Sequence, residues 1–178
     1  LATETYGRRY AFAPIDQTTV SLETRLNVNF SPTLTLEVFA QPFISNGDFG
    51  NLMEFSAPRT FDFLEYGTAI GTSVRQSDGD YLIDPDGVGA AVPFTVSDRD
   101  FNFRSLLGNS VLRWEWSPGS TLFLVWQQSR SDRLVGSDYD ALSAEAIGSF
   151  DFGHDTGELL NIQADNIFLV KVNYWLNL

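Results

Sequence analysis

The sequence predicts an all-β protein, an antiparallel up-and-down β-barrel of the outer-membrane kind, of which these residues form the C-terminal portion. Three observations predict it. The stretches 18–30 and 166–178 alternate apolar and polar residues with period two, the period at which strand side chains change face. Two short proline turns, Ser31-Pro32-Thr33 and Ser117-Pro118-Gly119-Ser120, contrast with two long stretches, 44–100 and 131–165, that hold 18 of the 23 acidic residues. Six strands drawn between these connections place both tight turns and the C-terminus at one end and the long acidic loops at the other. Short inner turns, long outer loops and an inner C-terminus are the arrangement of outer-membrane barrels.

Composition narrows the alternatives. Charged residues are 19% and aromatics 14% of 178 residues. No apolar run approaches the roughly 20 residues that a membrane helix needs, which excludes a helical membrane protein but not a barrel, whose strands need only about 10 residues. The chain has no cysteine, so disulfide and thiolate chemistry are excluded. The net charge of −12 repels nucleic acid. The strand pattern is already under way at Leu1, so 1–178 reads as a single barrel domain or the C-terminal part of a larger barrel.

In order along the chain, 4–12 reads as the end of a strand, and Pro14, Asp16 and Gln17 as a tight connection. In 18–30, Val20, Leu22, Thr24, Leu26, Val28 and Phe30 share one face, and Ser21, Glu23, Arg25, Asn27 and Asn29 the other. After the Pro32 turn, 33–43 returns with Leu34, Leu36, Val38 and Ala40 on one face and Thr35, Glu37, Phe39 and Gln41 on the other. The stretch 44–100 reads as a long loop, with short strands at 59–66 and 92–96. Residues 101–116 form the next strand, with Leu106, Leu112, Trp114 and Trp116 on one face and Asn109, Arg113 and Glu115 on the other. After the Pro118-Gly119 turn, 120–130 returns. The second long loop, 131–165, holds a short helix at 141–148, and 166–178 ends the chain. Its apolar face is Phe168, Val170, Val172, Tyr174, Leu176 and Leu178. Its other face, Ile167, Leu169, Lys171, Asn173, Trp175 and Asn177, turns polar toward the end. Six strands are fewer than the eight of the smallest common barrels, so either further strands lie in 50–96 or the barrel is larger than this segment.

Several segments taken together resemble a known family. They are Thr19–Phe30 with its Pro32 turn, Ala40-Gln41-Pro42-Phe43, Asp100–Gly108, Asn109–Ser129 (NSVLRWEWSPGSTLFLVWQQS) and the terminal NIFLVKVNYWL. They resemble the C-terminal part of the family of unknown function numbered 5916. The resemblance implies an outer-membrane or secreted protein of Gram-negative bacteria, often with a carbohydrate-binding module of family 9 type ahead of the barrel-like region. It carries no catalytic motif onto residues of this chain, and it brings carbohydrate in only by association. The last residue departs from the common pattern, because many outer-membrane barrels end in Phe or Trp and this chain ends in Leu178.

Four sets of side chains are candidates for chemistry. Asp78, Asp80, Asp84 and Asp86 lie in SDGDYLIDPDGVG, where carboxylates alternating with glycine turns can wrap a hard cation such as calcium; the other reading is an acidic, turn-forming surface loop. His154 is the single histidine. Alone it cannot build the usual histidine metal site, and an exposed loop residue is preferred to an acid–base pairing with Asp151, Asp155 or Glu158. Glu23, Arg25, Glu37, Arg113, Glu115 and Lys171 lie on the polar strand faces, and inside a barrel they would form a cross-strand ionic network that fills the lumen or sets its selectivity. Trp114, Trp116, Tyr174 and Trp175 gather near the tight-turn ends, where an aromatic girdle at the inner membrane–water interface belongs.

The expectation is therefore a non-enzymatic protein of the bacterial outer membrane serving anchoring, transport or display. Its partners would be outer-membrane lipid, carbohydrate and other subunits of a membrane complex, and calcium is the one cofactor the residues suggest. Two other readings stay open: a soluble, secreted β-sandwich that binds sugar or belongs to a glycoside hydrolase, and a structural subunit of a larger assembly.

Overall fold

The computed structural model describes residues 8–138 and 147–176. It is largely antiparallel β-structure with one short helix, and no sheet closes into a barrel. The strands in chain order are β1 (Ala11–Phe12), β2 (Ile15–Ser21), β3 (Thr24–Ser31), β4 (Leu34–Phe49), β5 (Met53–Phe55), β6 (Phe63–Glu65), β7 (Thr72–Arg75), β8 (Tyr81–Asp84), β9 (Phe94–Val96), β10 (Phe101–Ser117), β11 (Ser120–Val135) and β12 (Asp165–Asn173). Helix α1 spans Phe152–Asn161.

The main sheet has the order β12-β11-β10-β4-β2, with β3 also paired to β4. β2 and β3 occupy the same edge of β4 because the stretch expected as one strand, 18–30, is interrupted at Leu22-Glu23. There the Leu22 N–H still reaches the Pro42 carbonyl at 3.1 Å. Asp16 and Gln17, expected in a tight connection, lie inside β2. Only Ala11–Phe12 of the expected strand 4–12 is extended, and it pairs with β5 outside the main sheet; residues 4–7 lie outside the described residues. Both long strands overrun their expected ends, β4 continuing to Phe49 and β11 to Val135.

The residues gather into two compact units. One comprises Leu1–Thr18, Asn46–Asn102 and Leu134–Ser149, and the other Thr19–Ser45, Phe103–Arg133 and Phe150–Leu178.

In the first unit the expected long loop is not structureless. It holds the sheet β1-β5-β6 and the sheet β7-β8-β9, whose strands of two to four residues are too short to display a period. Phe12, Phe55 and Phe63 pack ring against ring at 4.7–5.8 Å. The buried Tyr66 hydroxyl donates to Glu54 at 2.6 Å, and Glu54 pairs with Arg9 at 2.7 Å. Burial and the bond to the Glu54 carboxylate together push the Tyr66 phenol up to about 12.

The second unit holds β3, α1, β12 and most of β4, β10 and β11. β3 runs antiparallel to β4, and β12 antiparallel to β11. α1 was not expected. The helix expected at 141–148 falls mostly outside the described residues, and Ile147 and Gly148 lie in a turn. Asp151 caps α1, its carboxylate accepting from the His154 N–H at 2.7 Å, which satisfies one of the orphan donors of the first turn.

Among the described residues the buried apolar side chains are Ile44, Tyr66, Ile83 and Leu159, while nine polar or charged residues are buried; the large apolar residues of β12 are all exposed and those of β4 and β10 are mostly half-buried.

Candidate functional surfaces

The register of the second unit turns alternation into surfaces. In β3–β4, Thr24 faces Ala40, Leu26 faces Val38 and Val28 faces Leu36, while Arg25 faces Phe39 and Asn27 faces Glu37. Partners across an antiparallel pair share a face, so one face of this hairpin is apolar and the other polar. In β11–β12, Leu122 faces Val172, Leu124 faces Val170, and Trp126 faces Phe168. Trp126 and Phe168 stack at 6.3 Å with 8° between ring planes. All nine residues of β12 are exposed, Phe168 to 72% and Val170 to 67%. The opposite face of the pair begins apolar at Ile167 and Leu169 and becomes polar at Lys171 and Asn173. The Lys171 ammonium sits 5.7 Å from the centre of the Phe123 ring, a cation–π distance.

Both tight turns lie at the same end of this unit. The Glu115 N–H donates to the Thr33 carbonyl at 2.8 Å, and Asn173 pairs with Thr121 beside the Pro118-Gly119 turn. The four aromatic residues are exposed at this end: Trp114 and Trp116 meet edge to face at 6.3 Å, and the Trp175 N–H donates to the buried Ser120 hydroxyl at 3.1 Å. Gly119 sits in the left-handed region at φ 78°, and a Cβ there would lie 3.0 Å from that of Trp175. Gly119→Ala therefore meets both backbone strain and a side chain with no room to give. It is expected to cost about 1–2 kcal/mol, measured as a lower denaturant midpoint in equilibrium unfolding.

On the polar face, the six charged residues do not pair across strands. Among the described residues their ion pairs are Glu23–Arg25 at 3.0 Å and Arg113–Glu115 at 3.2 Å, each between residues two apart on one segment. The expected cross-strand links are replaced by other contacts: Arg25 lies 5.3 Å over the Phe39 ring, and Asn27 stands opposite Glu37. These residues, with Val38, Asn109 and Val111, line an open groove of about 390 Å³. The Asn109 side-chain oxygen is buried there without a hydrogen-bond partner among the described residues.

Three of the four aspartates of 78–86 accept hydrogen bonds within their own loop, and Asp80 accepts from the Ser97 hydroxyl at 3.5 Å. Asp78 accepts from the Asp80 N–H, Asp84 from those of Asp86 and Gly87, and Asp86 from that of Ala91. The hydrogen bond from Ala91 is the main reason that the Asp86 carboxyl lies below its usual range. Among the described residues, no three carboxylate or histidine groups converge on a point that could hold a metal. His154 is exposed on the first turn of α1.

Two polar clusters were not singled out from the sequence. In the first unit, buried Asp98 accepts from the Asp100 N–H at 3.0 Å and pairs with Arg75 at 2.5 Å, while buried Asp100 accepts from the Phe49 N–H at 2.7 Å. Burial is the largest influence on Asp100 and raises its pKa; Asp98 and Asp48 add to the rise, and the Phe49 bond and Arg75 oppose it. A carboxyl raised in the folded state stabilises the fold fully below its unfolded value and loses that contribution as pH rises through its folded value. Stability should therefore decline as pH climbs through and just above the ordinary carboxylate range. Asp100→Asn, which keeps an acceptor for Phe49, should remove that component of the pH profile, read as the melting midpoint in a pH series.

In the second unit Arg104 and Asp155, 2% and 1% exposed, form a fully buried pair, with Nε and Nη2 at 3.0 and 2.8 Å from Oδ1. The other Asp155 oxygen accepts from the Asp151 N–H at 3.0 Å. The pair joins residues 51 apart, and the only local signal for it was a second aspartate one turn beyond the cap. No family model, no curated protein and no solved structure matches this chain.

Proposed function

We propose that this chain is a lipid-embedded part of a bacterial outer-membrane β-barrel. It anchors, transports or displays rather than catalyses, and its acidic loops face outward and are available to carbohydrate or to other subunits of a membrane complex. The observation that carries this reading is the exposed apolar face of β11–β12 and its counterpart on β3–β4, each backed by a face that is polar in whole or in part. A water-soluble sheet hides such a face under a second layer. Here the side chains that would form that layer's core stay exposed on β12 and are exposed or half-buried on β11, β3 and β4, while polar groups are buried. The aromatic residues at the hairpin end agree with a barrel's inner interface.

Fractionation tests the reading. The protein should sediment with outer membranes, require detergent for release and migrate differently on gels before and after heating. Recovery as a monodisperse particle from the aqueous fraction, without detergent, would overturn it.

A further inference from the structure

Strand direction carries a further inference, which rests on the membrane reading above. β3 is antiparallel to β4. β4 is antiparallel to β10, because Thr33 meets Glu115 while Phe39, further along β4, meets Gly108, earlier on β10. β10 and β11 are joined by Pro118-Gly119 alone and so form a hairpin. β11 is antiparallel to β12. With β2 and β3 sharing one edge of β4, the sheet has five ribbons in the order β12-β11-β10-β4-β3. Among the described residues, the two ribbons with an open edge, β12 and β3, run in the same direction, toward the hairpin end.

A closed up-and-down barrel alternates direction at every step and has an even strand count. β12 and β3 therefore cannot be neighbours in it. A second copy does not solve the problem. Copies related by an axis along the membrane normal would meet β12 to β3 in parallel. Copies related by an axis in the membrane plane would meet antiparallel but send their long acidic loops to opposite sides of the membrane. We propose that the open edges of β12 and β3 are bridged by an odd number of further strands of the same polypeptide, three in the smallest common closure of eight. These strands continue the apolar face of Leu122, Leu124 and Trp126 outward. β2 is entered from the end of the sheet opposite the hairpins, so a strand delivered through that end onto the open edge of β3 runs antiparallel to it, as closure requires.

Residues 1–178 contain no cysteine, so each introduced cysteine marks a chosen edge. In the membrane-extracted protein, Val170→Cys combined with either Leu26→Cys or Asn27→Cys should give no disulfide on oxidation, within or between chains. Val170→Cys alone should give no dimer. A density map of the same particle should show a ring with an odd number of strands between β12 and β3, all accounted for by one polypeptide mass after denaturation. A disulfide in any of these variants, an even number of intervening strands, or strands contributed by a second polypeptide overturns the inference while leaving the membrane reading intact. A detergent-free particle without a ring overturns both.

Discussion

Val170→Arg is expected to destabilise the assembled protein by about 2–4 kcal/mol, the cost of an arginine on the lipid face near the bilayer midplane. Val170 lies near the centre of β12 and opposite Leu124 on the continuous apolar face, so its replacement has no polar partner within reach. Val28→Arg, mid-strand on β3 and opposite Leu36, should behave alike. The cost is graded with depth, which makes a series more telling than one variant. Val172 is one residue from the end of β12 and close to the hairpin-end aromatics, so Val172→Arg should cost distinctly less. Asn27→Arg, on the polar face, should cost close to nothing. Refolding into lipid vesicles, followed by heat-dependent gel mobility, measures all four. In water the ranking disappears, because an arginine on an exposed valine position is harmless there. If Val170→Arg and Asn27→Arg fold equally well, the apolar face does not meet lipid.

The same residues show what could be read from the sequence. β3, β4 and β12 announce themselves because each places at least three apolar residues at alternate positions, and the hairpin register then brings Leu26 to Val38 and Val28 to Leu36 with no adjustment. The extension of β4 to Phe49 did not, because Ser45, Asn46, Gly47 and Asp48 have loop composition. The buried Ser45 and Asn46 are held by hydrogen bonds rather than by apolar packing: Asn46 Nδ2 reaches the Ser149 carbonyl at 2.6 Å, and Thr19 meets Ser45 at 2.9 Å. The break at Leu22-Glu23 preserves the alternation on either side and so leaves no trace in the period. The ionic network was misjudged for a related reason. Sequence shows which charges share a face but not their cross-strand register, and the register sets Arg25 against Phe39 rather than against Glu37. Helix α1 was hidden by Gly153 and Gly157, which lower its intrinsic propensity. What favours it is a tertiary partner on β10.

That partner defines the second large effect. Asp155→Leu should destabilise the protein by about 3–5 kcal/mol, because it leaves the Arg104 guanidinium buried without its counter-charge. Two contributions are mixed in that figure, since Asp155 also accepts from the Asp151 N–H at the start of α1. The double variant Arg104→Met/Asp155→Leu separates them. Apolar replacement of both members of a buried pair is often neutral or better, so the double variant should recover most of the loss if the stranded charge dominates. If it recovers little, the loss lies in the helix start, where a missing cap costs about 0.5–2 kcal/mol. Amide exchange gives the spatial answer. The single variant should open α1 and the neighbouring Phe103–Ser105 segment of β10 together, whereas a capping defect alone should open the first turn of α1 and leave β10 protected. Equal protection of both segments in the single variant and the parent would mean that the buried pair does not hold the helix to the strand.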